Sequence, residues 1–158
     1  MATSKPDSKP HPGVPDDGVI LMADDDDDDV FVTRRAFHEA EIRNPFYRVS
    51  DGIELLDFLQ QRGAYAAPAA APRPGLILLD LNMPGMDGRE ALSRIKADPD
   101  LRRIPMVVFT TSQDQHDIVD SYDRGANSYI TKPVGMAGMV RTARTIRSYW
   151  FDLVSVTT

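Results

Sequence analysis

The fold is decided by the stretch Leu76-Ile77-Leu78-Leu79-Asp80-Leu81-Asn82-Met83-Pro84-Gly85-Met86-Asp87-Gly88. A short continuous apolar run such as residues 76–79 is typical of a buried β-strand, so the Asp80 carboxylate is expected at the carboxyl end of a strand. Open α/β sheets bind their ligands at that end. A carboxylate placed there can act as a metal ligand, a general base or a nucleophile, and the rest of the chain must distinguish these roles.

Composition narrows the class of protein. The chain has 158 residues, a formal net charge of -6 and no cysteine. The length suits one domain with short tails, and the absence of thiols excludes disulfides and thiolate metal sites. A net negative charge argues against direct binding to nucleic acid, and no apolar run approaches the roughly 20 residues that cross a bilayer. We therefore expect a cytoplasmic protein with no membrane partner, because a signal peptide is also lacking.

Three segments are expected along the chain. Residues 1–18 carry four prolines and no periodic apolar face, which predicts a disordered leader. Residues 19–150 form the predicted domain, and residues 151–158 form an apolar C-terminal tail. This tail leaves no room for a fused output domain, so any output is expected to occur by contact with a partner.

Five short apolar runs alternate with helical patterns. The predicted strands are residues 19–23, 46–49, 76–79, 105–109 and 127–130. Three of the predicted helices begin with pairs in capping-box spacing, namely Asp51 with Glu54, Asp87 with Glu90, and Ser112 with Gln115, and the last helix is predicted over residues 136–150. Such alternation requires right-handed helical crossovers. We expect an α/β fold with a doubly wound, five-stranded parallel sheet in the flavodoxin-like order 2-1-3-4-5 and five helices.

Polar side chains follow four of the predicted strands. They are Asp24 and Asp25 after the first, Asp80 after the third, Thr110 at the end of the fourth and Lys132 after the fifth. In the expected order the first and third strands are neighbours, which brings three carboxylates together. Such a cluster raises its own pKa values or recruits a cation, and Mg²⁺ suits an all-oxygen site that also pairs with phosphate. The sequence therefore predicts a Mg²⁺ site.

Phosphoryl transfer is the chemistry that uses all of these groups. With a cation lowering the charge of the phosphoryl group, Asp80 can attack phosphorus and form an aspartyl phosphate. The Lys132 ammonium can neutralise phosphoryl oxygens, and the Thr110 hydroxyl can donate a hydrogen bond to one of them. Taken singly, Lys132 could be a solvated surface lysine and Thr110 an ordinary strand-end residue. Their shared position at strand ends favours the functional interpretation.

Six consecutive aspartates, residues 24–29, leave the register of the acidic pair open by one position. A charge run of this kind is often only a solvated segment. The length of the first strand favours Asp24 and Asp25 as the site residues. Residues 26–29 are then interpreted as negative charge at the N-terminus of a helix, where the helix dipole favours it and where it could add affinity for cations.

The motifs, in this order and spacing, resemble the receiver domain of two-component response regulators. They are residues 19–25, the segment 80–88, Thr110, and Tyr129 followed by Lys132 and Pro133, so that the resemblance covers residues 19–150. It implies that Asp80 is the phosphoryl acceptor and Asp25 the main acidic Mg²⁺ ligand. It also implies that Asp24 is a second acid acting largely through water, and that Asn82 is a ligand through its backbone carbonyl.

The same resemblance implies that Thr110 and Tyr129 form a switch pair. In such domains the hydroxyl moves onto the phosphoryl group and the aromatic ring turns inward, which changes the surface formed by the fourth helix, fifth strand and fifth helix. Tyr129 could alternatively be only a strand aromatic. The resemblance also implies that the protein is not an enzyme, beyond catalysing its own phosphorylation and dephosphorylation.

Within this family, the segment 110–112, the stretch from Ser121 to Pro133 and the ending Tyr149-Trp150 are similar to stand-alone regulators paired with phytochrome-type histidine kinases. The partner implied is a sensor histidine kinase, with a bacteriophytochrome as the candidate, and the donor is its phosphohistidine. A homodimer through the final helix and tail is also implied. Packing of the tail on its own domain is the alternative.

Three other classes of function compete. A Mg²⁺-dependent phosphatase with an aspartate nucleophile would share the covalent intermediate, but such enzymes usually carry a second acid two residues later, where this chain has Asn82. A Ca²⁺-binding loop read from the aspartate run would lack its glycine at the sixth position and reach Arg35 at the twelfth. A flavin carrier of the same topology would leave Asp80 and Lys132 unexplained. The histidines His11, His38 and His116 are dispersed and receive no role.

Overall fold

A five-stranded sheet forms the centre of the structure, a computed structural model that describes residues 11–15, 18–68 and 70–156. Its strands are β1 (Val19–Ala23), β2 (Phe46–Val49), β3 (Pro74–Leu79), β4 (Met106–Thr110) and β5 (Ser128–Thr131). All neighbouring pairs are parallel, and their order is β2-β1-β3-β4-β5. The predicted doubly wound sheet with the order 2-1-3-4-5 is therefore confirmed.

Five α-helices cover the sheet within the described part of the chain. They are α1 (Asp27–Glu39), α2 (Gly52–Gln60), α3 (Gly88–Ala97), α4 (Gln115–Asp123) and α5 (Met136–Ile146). Alternate side chains of a strand point to opposite faces. Accordingly, Ile77 and Leu79 join a core cluster with α2 and α3, whereas Leu76 and Leu78 join a second cluster with α1 and α5. Helix α4 is the exception, because Ser121 is its sole buried residue.

Helix caps follow two of the three predicted pairs. The Asp51 and Asp87 side chains accept hydrogen bonds from the backbone N–H of Glu54 and Glu90 at 2.7 and 3.1 Å. The predicted cap of α4 by Ser112 is wrong, because Asp114 accepts a 2.7 Å hydrogen bond from the His116 N–H and starts the helix there. A carboxylate accepts more strongly than a hydroxyl, and the Ser112 hydroxyl instead donates to Asp117 at 2.7 Å.

The two ends of the described chain lie together. Helix α5 ends at Ile146 and not at residue 150 as predicted, and Arg147–Leu153 continue as a π-helical segment. Trp150 is buried, and its carbonyl accepts a 2.7 Å hydrogen bond from the N–H of Val14, which is buried as well. His11–Pro12 pair antiparallel with Ser155–Val156. Segments of two residues are too short to show a periodic apolar pattern, so this pairing cannot be predicted from the sequence.

Within residues 11–15, where the sequence predicts a disordered leader, the structure pairs His11–Pro12 with the tail and bonds Val14 to Trp150. Residues 1–10, 16 and 17 of the leader and residues 157 and 158 of the tail lie outside the described residues. The division at residues 18 and 150 remains a prediction. Among the helices that the structure describes, none combines the length and the apolar character that a bilayer crossing requires.

Candidate functional site

Two neighbouring strands bring the predicted acids together. In the β1–β3 register Ala23 lies opposite Leu79, and the Asp80 N–H donates a 2.9 Å hydrogen bond to the Ala23 carbonyl. Asp24, Asp25 and Asp80 each offer a carboxylate oxygen, and these oxygens all lie within 4.8 Å of one another. Asp24 and Asp80 are buried, whereas Asp25 is exposed. Three carboxylates this close form an all-oxygen cluster with one side open to solvent, which suits a divalent cation.

The Asp24 carboxylate is the most deeply buried of the three, at 0% exposure. Burial raises the pKa of Asp24, while hydrogen bonds from Lys132 and from the Asp26 N–H oppose the rise, as does the Lys132 charge. The Asp26 N–H donates to one Asp24 oxygen at 2.9 Å, and the Lys132 ammonium donates to the other at 2.6 Å. Both oxygens of this buried carboxylate are therefore held in fixed positions.

Lys132 supplies the positive charge of the site. Its N–H donates a 2.7 Å hydrogen bond to the Thr110 carbonyl, which fixes the lysine beside the end of β4. The Lys132 ammonium lies 2.6 Å from Asp24, 2.7 Å from Asp29 and 3.6 Å from Asp80. Burial alone would lower the pKa of Lys132, but the hydrogen bonds to Asp24 and Asp29 and the nearby carboxylate charges raise it above its ordinary value. The carboxylates around Lys132 therefore favour its charged form although it is buried.

Asp29 is the residue of this cluster that the sequence interpretation missed. The aspartate run predicts only helix N-terminal charge at this position, but the Asp29 carboxylate accepts a 2.7 Å hydrogen bond from Lys132. Helical periodicity carried a signal, because Asp29 stands four residues before Thr33 and seven before Ala36, both of which are fully buried on the inner face of α1. A helix that begins at Asp27 turns residue 29 toward the sheet.

Thr110 is fully buried at the end of β4, and among the described residues its hydroxyl has no hydrogen-bond partner. An unpaired buried hydroxyl costs about 1–3 kcal/mol. A hydroxyl in this state at the carboxyl end of a strand is available to donate to an oxygen-rich group. The acidic cluster, Lys132 and the Thr110 hydroxyl together provide suitable groups to bind a divalent cation and a phosphoryl group.

Asn82 and Gly88 belong to the loop that follows Asp80. The Asn82 side chain is exposed, and its N–H lies 3.4 Å from an Asp80 oxygen as a long hydrogen bond. The Gly88 N–H donates to the Leu81 carbonyl at 2.9 Å, and a Cβ at Gly88 would collide with the Asp80 carbonyl oxygen. The loop therefore folds back tightly against the residue it follows.

Tyr129 lies on β5, at some distance from the acids along the sheet. Its ring is partly buried against the core cluster of α2 and α3, and its hydroxyl donates a 2.9 Å hydrogen bond to the Ser112 carbonyl. Its N–H donates to the Tyr122 hydroxyl at 3.1 Å. Tyr129 thus connects the loop after Thr110 with α4 and β5.

A parallel sheet with an acidic cluster at its carboxyl edge does not by itself fix a function, and sequence comparison gives the family. The chain belongs to the response regulator receiver domain family, whose profile matches residues 20–144. It is therefore a response regulator of two-component signalling, and its fold implies phosphorylation on an aspartate.

Three individual similarities are close. The response regulator Rcp1 of Synechocystis sp. is 39% identical over 138 residues, which are 87% of this chain and 92% of that one. The crystal structure of the Mn²⁺-bound form of Rcp1 has a TM-score of 0.80 at 38% identity and covers 89% of this chain and 99% of its own. The phosphorylated cyanobacterial phytochrome response regulator RcpA has a TM-score of 0.82 at 37% identity with the same coverage of 89% and 99%.

Proposed function

We propose that the protein accepts a phosphoryl group on Asp80 from the phosphohistidine of a sensor histidine kinase. The observation that carries this proposal is the meeting of Asp24, Asp25 and Asp80 within 4.8 Å at the carboxyl edge of the sheet. An Asp80 oxygen attacks phosphorus, a P–O bond forms as the P–N bond breaks, and the electron pair returns to the imidazole nitrogen. The protein then acts on its partners and turns over no other substrate.

Mg²⁺ is the proposed metal. Asp24, Asp25, Asp80 and the backbone carbonyl of Asn82 would hold it, and when bound it neutralises charge on the phosphoryl oxygens. The existence of a Mn²⁺-bound form of Rcp1 supports the binding of a divalent cation by this chain. Mg²⁺ is favoured because it keeps several waters and pairs with phosphate through a few carboxylates.

Lys132 and Thr110 are proposed to receive the phosphoryl group. The Lys132 ammonium, 3.6 Å from Asp80, is close enough to pair with an oxygen of a group attached there. The buried Thr110 hydroxyl, which has no partner among the described residues, donates to another oxygen. Both interactions form only when the phosphoryl group is present, so they stabilise the phosphorylated state.

Thr110 and Tyr129 are proposed as the switch pair. The Tyr129 hydroxyl bonds to the carbonyl of Ser112, two residues after Thr110, so a shift of Thr110 toward Asp80 strains this 2.9 Å bond. Loss of this hydrogen bond would free the Tyr129 ring and alter the surface of α4, β5 and α5. That surface carries exposed Val119 and Tyr122, which offer apolar contact to a partner.

The donor is proposed to be a bacteriophytochrome, because RcpA is a phytochrome response regulator at 37% identity. A cytoplasmic homodimer that uses α5 and the tail is also proposed, without contact to nucleic acid or membrane. Trp150 is buried on its own domain, but Tyr149 and Leu153 remain 44% and 71% exposed and could contact a second copy.

Intact mass after incubation with acetyl phosphate and Mg²⁺ tests the proposal, with Asp80→Asn as the paired variant. We expect one phosphoryl adduct on the wild type and none on the variant. An unmodified wild type would contradict the proposal. Steady release of many equivalents of phosphate from phosphomonoesters would instead favour the aspartate-nucleophile phosphatase.

A further inference from the structure

The Lys132 ammonium is shared between two carboxylates that differ in their contact with solvent. It donates to Asp24 at 2.6 Å and to Asp29 at 2.7 Å. The Asp24 side chain is 0% exposed, whereas that of Asp29 is 36% exposed. Asp80, at 3.6 Å, lies beyond ordinary hydrogen-bond distance. In this state the lysine is therefore bonded to the α1 side of the site and not to the proposed nucleophile.

The hydrogen bonds from Lys132 to Asp24 and to Asp29 differ in the free energy that is needed to break them. Separating Lys132 from Asp24 would leave a buried carboxylate without its counter-charge, which is strongly unfavourable. Separating Lys132 from Asp29 leaves a carboxylate that water already reaches and can solvate, so breaking this bond costs less than breaking the bond to Asp24. When a phosphoryl group competes for the ammonium, the bond to Asp29 is the one that breaks.

We infer that Asp29 is a positioning residue, which holds the Lys132 ammonium on the α1 side while Asp80 is unmodified and releases it to the phosphoryl group. The release step rests on the proposed function. Asp29 stands in the first turn of α1, where its N–H donates to the Asp26 cap at 3.1 Å.

Affinity for beryllofluoride in the presence of Mg²⁺ tests the release step, because beryllofluoride occupies the place of a phosphoryl group. The variants are Asp29→Asn and Asp28→Asn. Asp28 lies in the same exposed turn, and no hydrogen bond or ion pair described for it reaches Lys132. Both variants lose one negative charge, so the comparison controls for the change in net charge. We expect Asp29→Asn to bind about two- to fivefold more tightly than Asp28→Asn, as release of Lys132 from a partly exposed carboxylate permits.

Equal affinities of the two variants, or weaker binding by Asp29→Asn, would overturn the inference while leaving the proposed function intact. Wild-type protein that binds no beryllofluoride would instead refute the proposed function and the release step together. The resting contact is checked separately by the ¹³Cε resonance of Lys132 without any analogue. We expect it to shift in Asp29→Asn and to stay in place in Asp28→Asn, and an unshifted resonance in both would refute the contact itself.

Discussion

Lys132 donates a 2.6 Å hydrogen bond to Asp24 in an ion pair whose two side chains are 4% and 0% exposed. The pair joins the end of β5 to the end of β1, across the two strands that separate them in the sheet. Removing the lysine leaves Asp24 charged and buried beside Asp80. The pair is therefore part of the folded structure as well as of the proposed site.

Lys132→Met is expected to lower the free energy of unfolding by about 3 kcal/mol, because breaking a buried ion pair leaves an uncompensated charge. Denaturant unfolding at neutral pH without divalent cations measures the change. The double variant with Asp24→Asn should recover part of the loss, because it removes the orphaned charge. An unchanged midpoint for Lys132→Met would show that the pair contributes nothing to stability.

Divalent cations are expected to raise the midpoint of thermal unfolding, because they bind the folded acidic cluster and not the unfolded chain. At 100 times the dissociation constant the gain is about 2.7 kcal/mol. Asp25→Asn, which removes the exposed acid of the cluster, should need a higher Mg²⁺ concentration for the same gain. Asp28→Asn is the matched control and should respond like the wild type. An identical Mg²⁺ response of Asp25→Asn and Asp28→Asn would place the metal elsewhere.

Thr110→Val is expected to separate stability from function. Valine has nearly the same shape and removes a buried hydroxyl without a described partner, so the free energy of unfolding should rise by about 1 kcal/mol. Affinity for beryllofluoride should fall, since one donor to the analogue is lost.

Thr33→Val is the control for this experiment. Thr33 is also fully buried in α1 with a hydroxyl that lacks a described partner. We expect the same gain in stability there with unchanged affinity for beryllofluoride. If Thr110→Val bound the analogue as tightly as Thr33→Val, the Thr110 hydroxyl would have no part in the site.

The ion pair between Asp117 of α4 and Arg89 of α3 is expected to make the free energy of unfolding depend on pH. The hydrogen bond from Arg89, at 2.9 Å, and a second from Ser112 hold the pKa of Asp117 below its ordinary value of 3.8. A folded-state pKa below that of the unfolded chain gives stability that is present above the unfolded pKa and is lost as the pH falls through the folded one. Asp117→Asn should therefore cost up to about 1 kcal/mol at pH 7, and this cost should shrink below about pH 4.

Urea unfolding of wild type and Asp117→Asn at pH 7 and pH 3 measures this cost. Asp123→Asn, an exposed position on the same helix, controls for the change in net charge. A cost of Asp117→Asn that stays the same at both pH values would mean that the ion pair with Arg89 is not its source.

The fold and the site can be predicted from the sequence where an apolar run is followed directly by polar residues. Runs such as residues 76–79 predict strands, and strand order then brings Asp24, Asp25 and Asp80 to one edge. Lys132 could be assigned to the same edge for the same reason. The proximity of these groups thus follows from backbone topology, which local patterns specify well.

The parts that sequence could not supply depend on side-chain geometry. Asp29 stands among six identical residues, so only the starting point of α1 decides that it reaches Lys132. The choice of Asp114 over Ser112 as the cap of α4 depends on where the loop places each oxygen. The pairing of His11–Pro12 with the tail joins two-residue segments far apart in the chain, and no local pattern predicts it.

The most direct measurement locates the phosphoryl group on the wild-type chain. Borohydride reduces an acyl phosphate to the alcohol, so treatment after incubation with acetyl phosphate and Mg²⁺ leaves homoserine at the modified aspartate. Peptide mass spectrometry then identifies the position. We expect homoserine at position 80 and nowhere else, whereas homoserine at position 24 or 25, or its absence from a protein that carries the adduct, would contradict Asp80 as the acceptor.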